Sequence, residues 1–220
     1  MPHPRAVATS REPQPSLDFE QSLWQEGVSP VAGVDEAGRG PLAGPVVAAA
    51  VILPSTFNHP TLNDSKRLSA ATRERIFQEL VVFHGLTWSV GICTPEEVDR
   101  YNILRATHRA MALALEGLSI RPAHALIDGL PVRGLAVPQT ALVGGDSLSL
   151  SIAAASVIAK VTRDQLMHEF DAQFPRYGFA RHKGYGTREH LEKLAELGPC
   201  PIHRRSFAPV AQTTLPFGPG

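Results

Sequence analysis

The residues best suited to chemistry lie in one short stretch, Gly33-Val34-Asp35-Glu36-Ala37-Gly38-Arg39-Gly40-Pro41. Two adjacent acids end an apolar segment and lead into a Gly-Arg-Gly loop. Successive side chains of a regular strand point to opposite faces, so both carboxylates reach one site only where the pleat is broken, which neighbouring glycines permit. Carboxylates held together repel each other unless a hard cation such as Mg²⁺ or Mn²⁺ lies between them. The alternative is a solvated turn with two surface acids.

Two further acids occupy comparable positions. Asp128 follows the apolar run 123–127 at the C-terminal end of a predicted strand, where ligands of α/β sheets usually bind. Asp146 follows Gly144 and Gly145 and precedes a long predicted helix. Each also has an ordinary interpretation, an Asx turn for Asp128 and a helix N-cap for Asp146. Taken together, the four acids predict a two-metal site of the kind that cleaves phosphodiesters.

Two other chemistries fit the stretch poorly. The spacing of Gly33 and Gly38 matches part of a phosphate-binding P-loop, but Arg39-Gly40 stands where that loop needs Lys followed by Ser or Thr. Acids inside a phosphate cradle would also repel the phosphate. The two carboxyls of a glycosidase flank a sugar at roughly 5–10 Å, whereas Asp35 and Glu36 are neighbours in sequence.

Basic residues and aromatic rings alternate between residues 176 and 188, with no acid among them. Cations that meet phosphates and rings that stack on sugars or bases form nucleic-acid surfaces, although an ordinary solvated surface is the alternative. We call the cations Arg176, Arg181, Lys183 and Arg188 the basic strip; its aromatics are Tyr177, Phe179 and Tyr185. Further basic candidates are the loop 63–67, the cluster 203–205, and Lys160 with Arg163, which share a helix face at i, i+3 spacing.

The elements that position these residues follow from apolar patterning and capping residues. The patterns predict strands over 31–35, 46–53, 87–93 and 123–128. They predict helices over 69–83, from 94 past 111 towards 118, over 150–170 and over 188–197. This order indicates an α/β fold with a mixed sheet and helices packed on its faces.

Composition narrows the class of protein. The 220 residues are 43% hydrophobic, and 21 basic residues balance 21 acidic ones, which argues against a wholesale electrostatic nucleic-acid binder. The longest apolar run, 46–53, falls far short of the ~20 residues of a membrane-spanning helix. Two distant cysteines, Cys93 and Cys200, indicate a reducing, cytoplasmic setting without a zinc motif. We predict a flexible extension over 1–28, a body over 29–210 and a flexible tail over 211–220.

Seven blocks spread over residues 31–210 together resemble type 2 ribonuclease H, the bacterial ribonuclease HII group. The first runs from Gly33 to Val47 and contains the paired acids and the Gly-Arg-Gly loop. The others follow in order at 63–66, 127–129, 145–164, 177–179, 182–187 and 203–207. A combination of this length is far more specific than any single motif.

The resemblance implies a ribonuclease H-like fold: a central mixed five-stranded sheet flanked by helices, with a C-terminal helical segment. It implies an endonuclease that hydrolyses the RNA strand of RNA–DNA hybrids and cuts 5′ of single ribonucleotides in duplex DNA, leaving a 3′-hydroxyl and a 5′-phosphate. Two divalent ions, Mg²⁺ or Mn²⁺, would be held by the catalytic acids Asp35, Glu36, Asp128 and Asp146. The expected substrate contacts are Gly38, Arg39, Gly40, Ser65, Lys66, Lys160, Arg163, Lys183 and Tyr185, with Tyr185 stacking on the deoxyribose after the junction.

Three expectations concern partners and alternatives. The tail segment Gln212–Phe217 resembles the Q-x-x-L-x-F peptide by which bacterial replication proteins bind the sliding clamp. The chain is expected to act as a monomer in ribonucleotide removal during DNA replication and repair. The alternatives are a different nuclease or transposase-like enzyme on this fold, and a catalytically silent nucleic-acid-binding protein.

Overall fold

A computed structural model describes residues 14–63, 65 and 68–213. Its centre is a mixed five-stranded sheet in the order β3-β2-β1-β4-β5. The strands are β1 (Val31–Ala37), β2 (Val46–Ile52), β3 (Thr87–Cys93), β4 (His124–Asp128) and β5 (Gln139–Leu142). β1, β2 and β3 pair antiparallel, whereas β1, β4 and β5 pair parallel. The predicted α/β class and mixed sheet are therefore confirmed.

Eight helices surround the sheet in the described residues. They are α1 (Asp18–Gln25), α2 (Ala70–Val81), α3 (Pro95–Tyr101), α4 (Ile103–Glu116), α5 (Leu150–Gln173), α6 (Phe179–His182), α7 (Arg188–Leu197) and α8 (Ala208–Thr213). The helix predicted from 94 towards 118 is wrong in one respect, because it is two helices. Asn102 breaks it with φ 68°, and its side chain then accepts the amide of Arg105 to begin α4.

The apolar run of β2 is explained by burial on both sheet faces. Alternate residues such as Ala49 and Val51 pack in a core with α5, whereas Ala48 and Ala50 pack in a second core with α4. The long helix α5 lies especially close to β1, because a Cβ at Gly33 would collide with the backbone of α5. This close approach brings polar side chains of α5 to the end of β1.

Within the segment 1–28 that sequence analysis predicts to be an extension, α1 packs against the body. Glu20 of α1 is buried, and its carboxylate accepts hydrogen bonds from the hydroxyls of Ser149, at 2.6 Å, and Ser151, at 2.5 Å. It also accepts the Ser151 amide at the first turn of α5 (3.1 Å). A carboxylate is favourable at this end of a helix dipole. Residues 1–13 lie outside the described part of the chain.

At the other end of the chain, α8 continues to Thr213 and therefore includes the first residues of the predicted tail. Residues 214–220, and with them most of the clamp-like peptide, lie outside the described residues. Within the part of the chain that is described, none of the helices has the length and apolar character needed to cross a membrane.

Candidate active site

The sheet brings two of the four acids side by side. β1 and β4 run parallel, and their last paired positions are Val34 and Ile127. Asp35 and Asp128 are the next residue on each strand, so the two carboxylates leave the sheet at the same edge. Asp35 lies on the face covered by α5, where its carboxylate is within hydrogen-bonding reach of the Ser156 hydroxyl.

The Asp35 carboxylate is held where its negative charge is unfavourable. The side chain is only 4% exposed. Burial raises the pKa of Asp35 well above its ordinary value, and the nearby charges of Glu36 and Asp128 raise it further. The Ser156 hydroxyl and the Glu36 amide, which lies 2.7 Å from Asp35 Oδ1, offset only part of this effect. A cation near these acids would relieve both the desolvation and the repulsion.

Asp146 is held next to Asp128 by a tight turn. The amide of Gly145 donates to Asp128 Oδ1 at 2.7 Å, and Asp146 follows in a short 3₁₀ turn, Gly145–Ser147. Asp146 is 4% exposed. A Cβ at Gly145 would lie 2.7 Å from Cδ1 of Ile152, so a larger residue here would have to displace that side chain. The turn therefore links the third and fourth acids.

The pairing of β1 with β2 stays regular through Ala37, so the predicted break in the pleat between the adjacent acids does not occur. Asp35 and Glu36 consequently leave β1 on opposite faces. Glu36 Oε1 instead accepts the Arg39 guanidinium at 3.1 Å, which directs it towards the Gly-Arg-Gly loop. The charges of Asp35 and Glu36 therefore interact at the end of a regular strand, and no bulge turns the two carboxylates to the same face.

The chemistry of these four carboxylates fits hard divalent cations, which prefer oxygen ligands. Three of them already interact electrostatically, and all four belong to the adjoining ends of β1 and β4 and the turn after β5. In the described residues, no three His, Cys, Asp or Glu side chains are already close enough together to enclose a metal ion. The fit of these acids to a cation therefore rests on the unfavourable environment of the Asp35 negative charge, which a bound cation would stabilise.

The Gly-Arg-Gly loop lies beside Tyr185. Gly38 has φ +95°, a conformation that favours glycine, whereas Arg39 and Gly40 are exposed at the surface. A Cβ on Gly40 would lie 3.8 Å from Cε1 of Tyr185, whose side chain is 45% exposed. The structure thus brings together the loop and the ring that sequence analysis places on either side of a ribonucleotide junction.

Arg163 requires a correction, because it is buried rather than exposed on a binding face. The guanidinium donates to the carbonyls of Ala43, Pro45 and Lys183, each at 3.0 Å. The i, i+3 spacing with Lys160 suggested a shared exposed face, but α5 is enclosed over most of its first four turns. A buried guanidinium whose donors already bond to the backbone cannot contact substrate directly.

The remaining predicted contacts differ in accessibility. Ser65 is buried, and its hydroxyl accepts that of Ser156 at 2.8 Å, which connects it indirectly to Asp35. Lys160 Nζ bonds Asp164 at 2.6 Å. Lys183 Nζ bonds the Ala180 carbonyl at 2.8 Å and His168 at 2.6 Å. Lys66 lies outside the described residues.

The arginines of the basic strip are neutralised by acids that sequence counting had left out. Arg176 bonds Glu196 at 2.9 Å, Arg188 bonds Glu192 at 2.7 Å, and Arg181 bonds Glu189. These glutamates all belong to α7. The rings of Tyr177 and Phe179 are buried together instead of exposed. Of the aromatics assigned to this strip, only Tyr185 is accessible for stacking.

Sequence analysis also missed a chain of buried imidazoles beneath Tyr185. Its partners fix the tautomers. His203 Nδ1 accepts the Cys200 amide at 3.0 Å, so its Nε2 donates to His190 Nε2 at 3.0 Å, and His190 Nδ1 donates to the Tyr185 carbonyl at 2.9 Å. His182 stacks on His190 with ring centroids 4.4 Å apart. Neutral imidazoles are thus required to hold the turn that carries Tyr185.

The chain is similar to known proteins over most of its length. The family model for ribonuclease HII matches residues 32–210. Ribonuclease HII of Desulfitobacterium hafniense strain Y51 is 56% identical over 196 residues, which are 89% of this chain and 75% of that protein. The solved ribonuclease H2 of Pyrococcus horikoshii OT3 superposes with a TM-score of 0.67 at 27% identity, covering 83% of this chain and 96% of that one.

A second solved structure is similar. RNase HII of Archaeoglobus fulgidus, determined in a complex with PCNA, gives a TM-score of 0.66 at 27% identity, covering 81% of this chain and 95% of that one. Ribonucleases H depend on divalent metal ions. The chain therefore belongs to the ribonuclease HII family and is a ribonuclease H, a hydrolase that acts on RNA in RNA–DNA hybrids.

Proposed function

We propose that this ribonuclease H also cuts duplex DNA on the 5′ side of single embedded ribonucleotides, leaving a 3′-hydroxyl and a 5′-phosphate. We further propose that Asp35, Glu36, Asp128 and Asp146 hold two divalent ions. We call these four acids the acid cluster; the observation that carries the proposal is that the cluster, with Asp35 buried and repelled by two of its neighbours, lies beside an exposed Gly-Arg-Gly loop and the Tyr185 ring. Acids that bind metal and groups that read the sugar are thereby next to each other.

The acids have distinct tasks in this proposal. Two bound ions would activate a water and stabilise the leaving 3′-oxygen. The charges of Glu36 and Asp128 both act on Asp35, so it is the side chain best placed to bridge the cluster. Glu36 also bonds Arg39, and this contact couples the acid site to the loop that meets the substrate. Asp128 and Asp146 are fixed relative to each other through the Gly145 amide.

Recognition of ribose requires contact with the 2′-hydroxyl, because that group distinguishes RNA from DNA at a given nucleotide. Gly38, Arg39 and Gly40 can approach it closely through their backbone. On the 3′ side of the junction, the exposed ring of Tyr185 would stack on a deoxyribose and clash with a 2′-hydroxyl. The two elements together would select a ribonucleotide followed by a deoxyribonucleotide.

Cleavage of an end-labelled DNA duplex with one ribonucleotide tests this proposal. The assay uses Mg²⁺ or Mn²⁺, with wild type, Asp35→Asn and an all-DNA duplex as the uncut control. We expect one cut, 5′ of the ribonucleotide, that is lost in the variant. An RNA–DNA hybrid measured in parallel supplies the family activity. Cleavage of the hybrid without any cut at the single ribonucleotide would contradict the proposal, and binding without cleavage of either would favour a silent binding protein.

We also propose that Gln212–Phe217 contacts a sliding clamp, that the enzyme works as a monomer, and that it acts in the cytoplasm with its DNA substrate. The clamp proposal is supported by the Q-x-x-L-x-F spacing and by the archaeal relative solved with PCNA. Deleting residues 214–220 leaves α8 intact and should abolish binding to an immobilised clamp without altering cleavage of a short duplex. Unchanged clamp binding would contradict it.

A further inference from the structure

Arg204 lies directly beneath the Gly-Arg-Gly loop and is completely buried. Sequence analysis grouped it with surface cations, yet among the described residues its guanidinium donates hydrogen bonds to backbone carbonyls alone. These belong to Gly38 at 2.5 Å, Arg39 at 3.0 Å, Pro41 at 2.8 Å, Gly44 at 3.0 Å and Pro45 at 3.2 Å. One side chain, distant in sequence, thus gathers most of the carbonyls of the loop between β1 and β2.

Arg163 completes the arrangement from α5. It bonds the carbonyls of Ala43 and Pro45 in the same loop, and that of Lys183 in the turn leading to Tyr185. A Cβ at Gly38 would collide with the Arg163 side chain, so the loop lies against this arginine as well. We call Arg163 and Arg204 the arginine clasp. It joins the two segments that are proposed to read the sugars on either side of the junction.

Both arginines keep their charge. Burial lowers the pKa of Arg204 to about 9 and that of Arg163 to about 10, values that leave both guanidinium groups protonated at neutral pH. In the described residues, no carboxylate accepts a hydrogen bond from either of them. A buried charge without an acid partner persists when many dipoles solvate it, and here the loop carbonyls do so.

The clasp determines which way the loop amides face. In a trans peptide the N–H points opposite to the C=O. Because the carbonyls of Gly38 and Arg39 turn inward to Arg204, the amides of Arg39 and Gly40 point away from it, towards the surface where both residues are exposed. Within residues 14–63, 65 and 68–213, these two amides have no backbone or side-chain acceptor.

We propose that Arg204 is a positioning residue for ribose selection: by binding the loop carbonyls, it aims the Arg39 and Gly40 amides at the ribonucleotide sugar, and Arg163 fixes their distance from Tyr185. The inference rests on the proposed function. It assigns discrimination between ribose and deoxyribose to a side chain that never touches the substrate.

Arg204→Lys tests the proposal, because lysine keeps the positive charge but cannot bond five carbonyls at once. Arg109→Lys is the matched control at an exposed arginine paired with Glu97. Two readouts are needed. The first is the ratio of Kd for an all-DNA duplex to Kd for the same duplex with one ribonucleotide, measured in EDTA so that neither is cut. The second is the ¹H–¹⁵N spectrum of the free protein at Arg39 and Gly40.

We expect Arg204→Lys to lower the affinity ratio about tenfold and to move both amide signals, while signals of α2 and α4 stay in place. Arg109→Lys should change neither readout. An unchanged ratio, or equal weakening for both duplexes, would overturn ribose selection by Arg204. Unmoved amide signals would overturn the positioning role of Arg204, even if the wild-type protein shows no ribose preference. A wild-type affinity ratio near one would refute the proposed function and leave the positioning role standing.

Discussion

The stretch from Asp35 to Pro45 connects two regions that bury charges of opposite sign. The two regions differ in how the surrounding groups stabilise those charges. At the end of β1, burial raises the pKa of Asp35, and the like charges of Glu36 and Asp128 raise it further. A few residues later, Arg163 and Arg204 are buried beneath the loop, and their charges are solvated by carbonyls. Both regions carry charge, but backbone carbonyls solvate the two arginines, whereas Asp35 faces two charges of its own sign.

This difference distinguishes residues that bind a ligand from residues that support the fold. A buried charge is destabilising unless dipoles or an opposite charge surround it, as the loop carbonyls surround the two arginines. Asp35 instead remains in an environment that favours its neutral form. This environment persists because the surrounding sheet fixes the backbone on either side of Asp35. An unfavourable environment of this kind is typical of residues that receive an external partner. This contrast supports the proposals that the four acids hold metal ions and that the arginine clasp positions the adjoining loop.

The largest expected effect tests the acid region. Asp35→Asn should lower kcat/KM by about 10³-fold or more, because the central ligand of the proposed ions loses its charge. In metal-free buffer the same change should raise the free energy of unfolding by roughly 1–2 kcal/mol, because it removes a buried, repelled carboxylate. The measurements are cleavage kinetics and urea unfolding in EDTA.

Added Mn²⁺ makes this test sharper. It should raise the melting temperature of wild type and have much less effect on Asp35→Asn, because a ligand stabilises only the state that binds it. Glu96→Gln, at an acid in the first turn of α3, serves as the control and should retain the full metal-induced shift. A variant less stable than wild type without metal would mean that the acid cluster is already satisfied, and would remove the contrast with the clasp.

The next effect concerns the ring beside the loop. Tyr185→Ala should lower kcat/KM about tenfold on a duplex with one ribonucleotide, since stacking of a ring contributes roughly 1–3 kcal/mol. Tyr185→Phe keeps the ring and should retain most of the activity. The metal-induced shift in melting temperature should not change in either variant. Equal loss of metal affinity would show that Tyr185 supports the acid region instead.

Much of this architecture could be predicted because local patterns dominate it. The apolar run of β2, the Ser69 and Thr94 caps and the turn residues around Gly38 are determined by residues close in sequence. The four acids follow from the same reasoning, since each stands at the end of an apolar segment or beside glycine. Their spatial meeting was suggested by strand ends and was strengthened by the family resemblance.

The misses share a different cause. Arg163 and Arg204 look like surface cations because nothing near them in sequence shows that carbonyls more than 100 residues away will surround them. The arginines of the basic strip appeared unpaired because their glutamate partners lie in α7, just beyond the stretch that was counted. Strand β5 has only four residues and mixed polarity, so its pattern is too weak to predict a strand. Which residue pairs with a charged side chain, and whether a short edge strand forms, depend on tertiary contacts.

A smaller effect should appear in the pH dependence of stability. Burial, followed by the neighbouring charge of His190, lowers the pKa of His203 to about 4. An unfolded histidine takes up a proton near pH 6.5, so the unfolded state binds more protons as pH falls from there to 4. Stability from this group is therefore complete above pH 6.5 and is lost towards pH 4, by at most about 3 kcal/mol.

Urea unfolding of wild type and His203→Gln at several pH values between 7.5 and 4.5 measures this contribution. The variant should be less stable at neutral pH, where it lacks the bond to His190, and should lose less stability on acidification. The difference between the two proteins isolates His203 from carboxylates that titrate in the same range. Parallel curves would show that the imidazole chain does not respond to pH as a buried neutral network must.

The smallest expected effect lies on the surface of α7. Arg188 is almost fully exposed and bonds Glu192 one turn away. Exposed pairs of this kind contribute at most a few tenths of a kcal/mol, so Arg188→Ala should change the free energy of unfolding by less than about 0.5 kcal/mol. Because Glu192 already neutralises the arginine, KM for the duplex should stay within about twofold. A rise in KM of tenfold, with a steeper response to salt in wild type than in the variant, would mean that this pair opens to meet phosphates. Buried and exposed arginines would then differ in how rigidly they are held, and not in whether they serve structure or substrate binding.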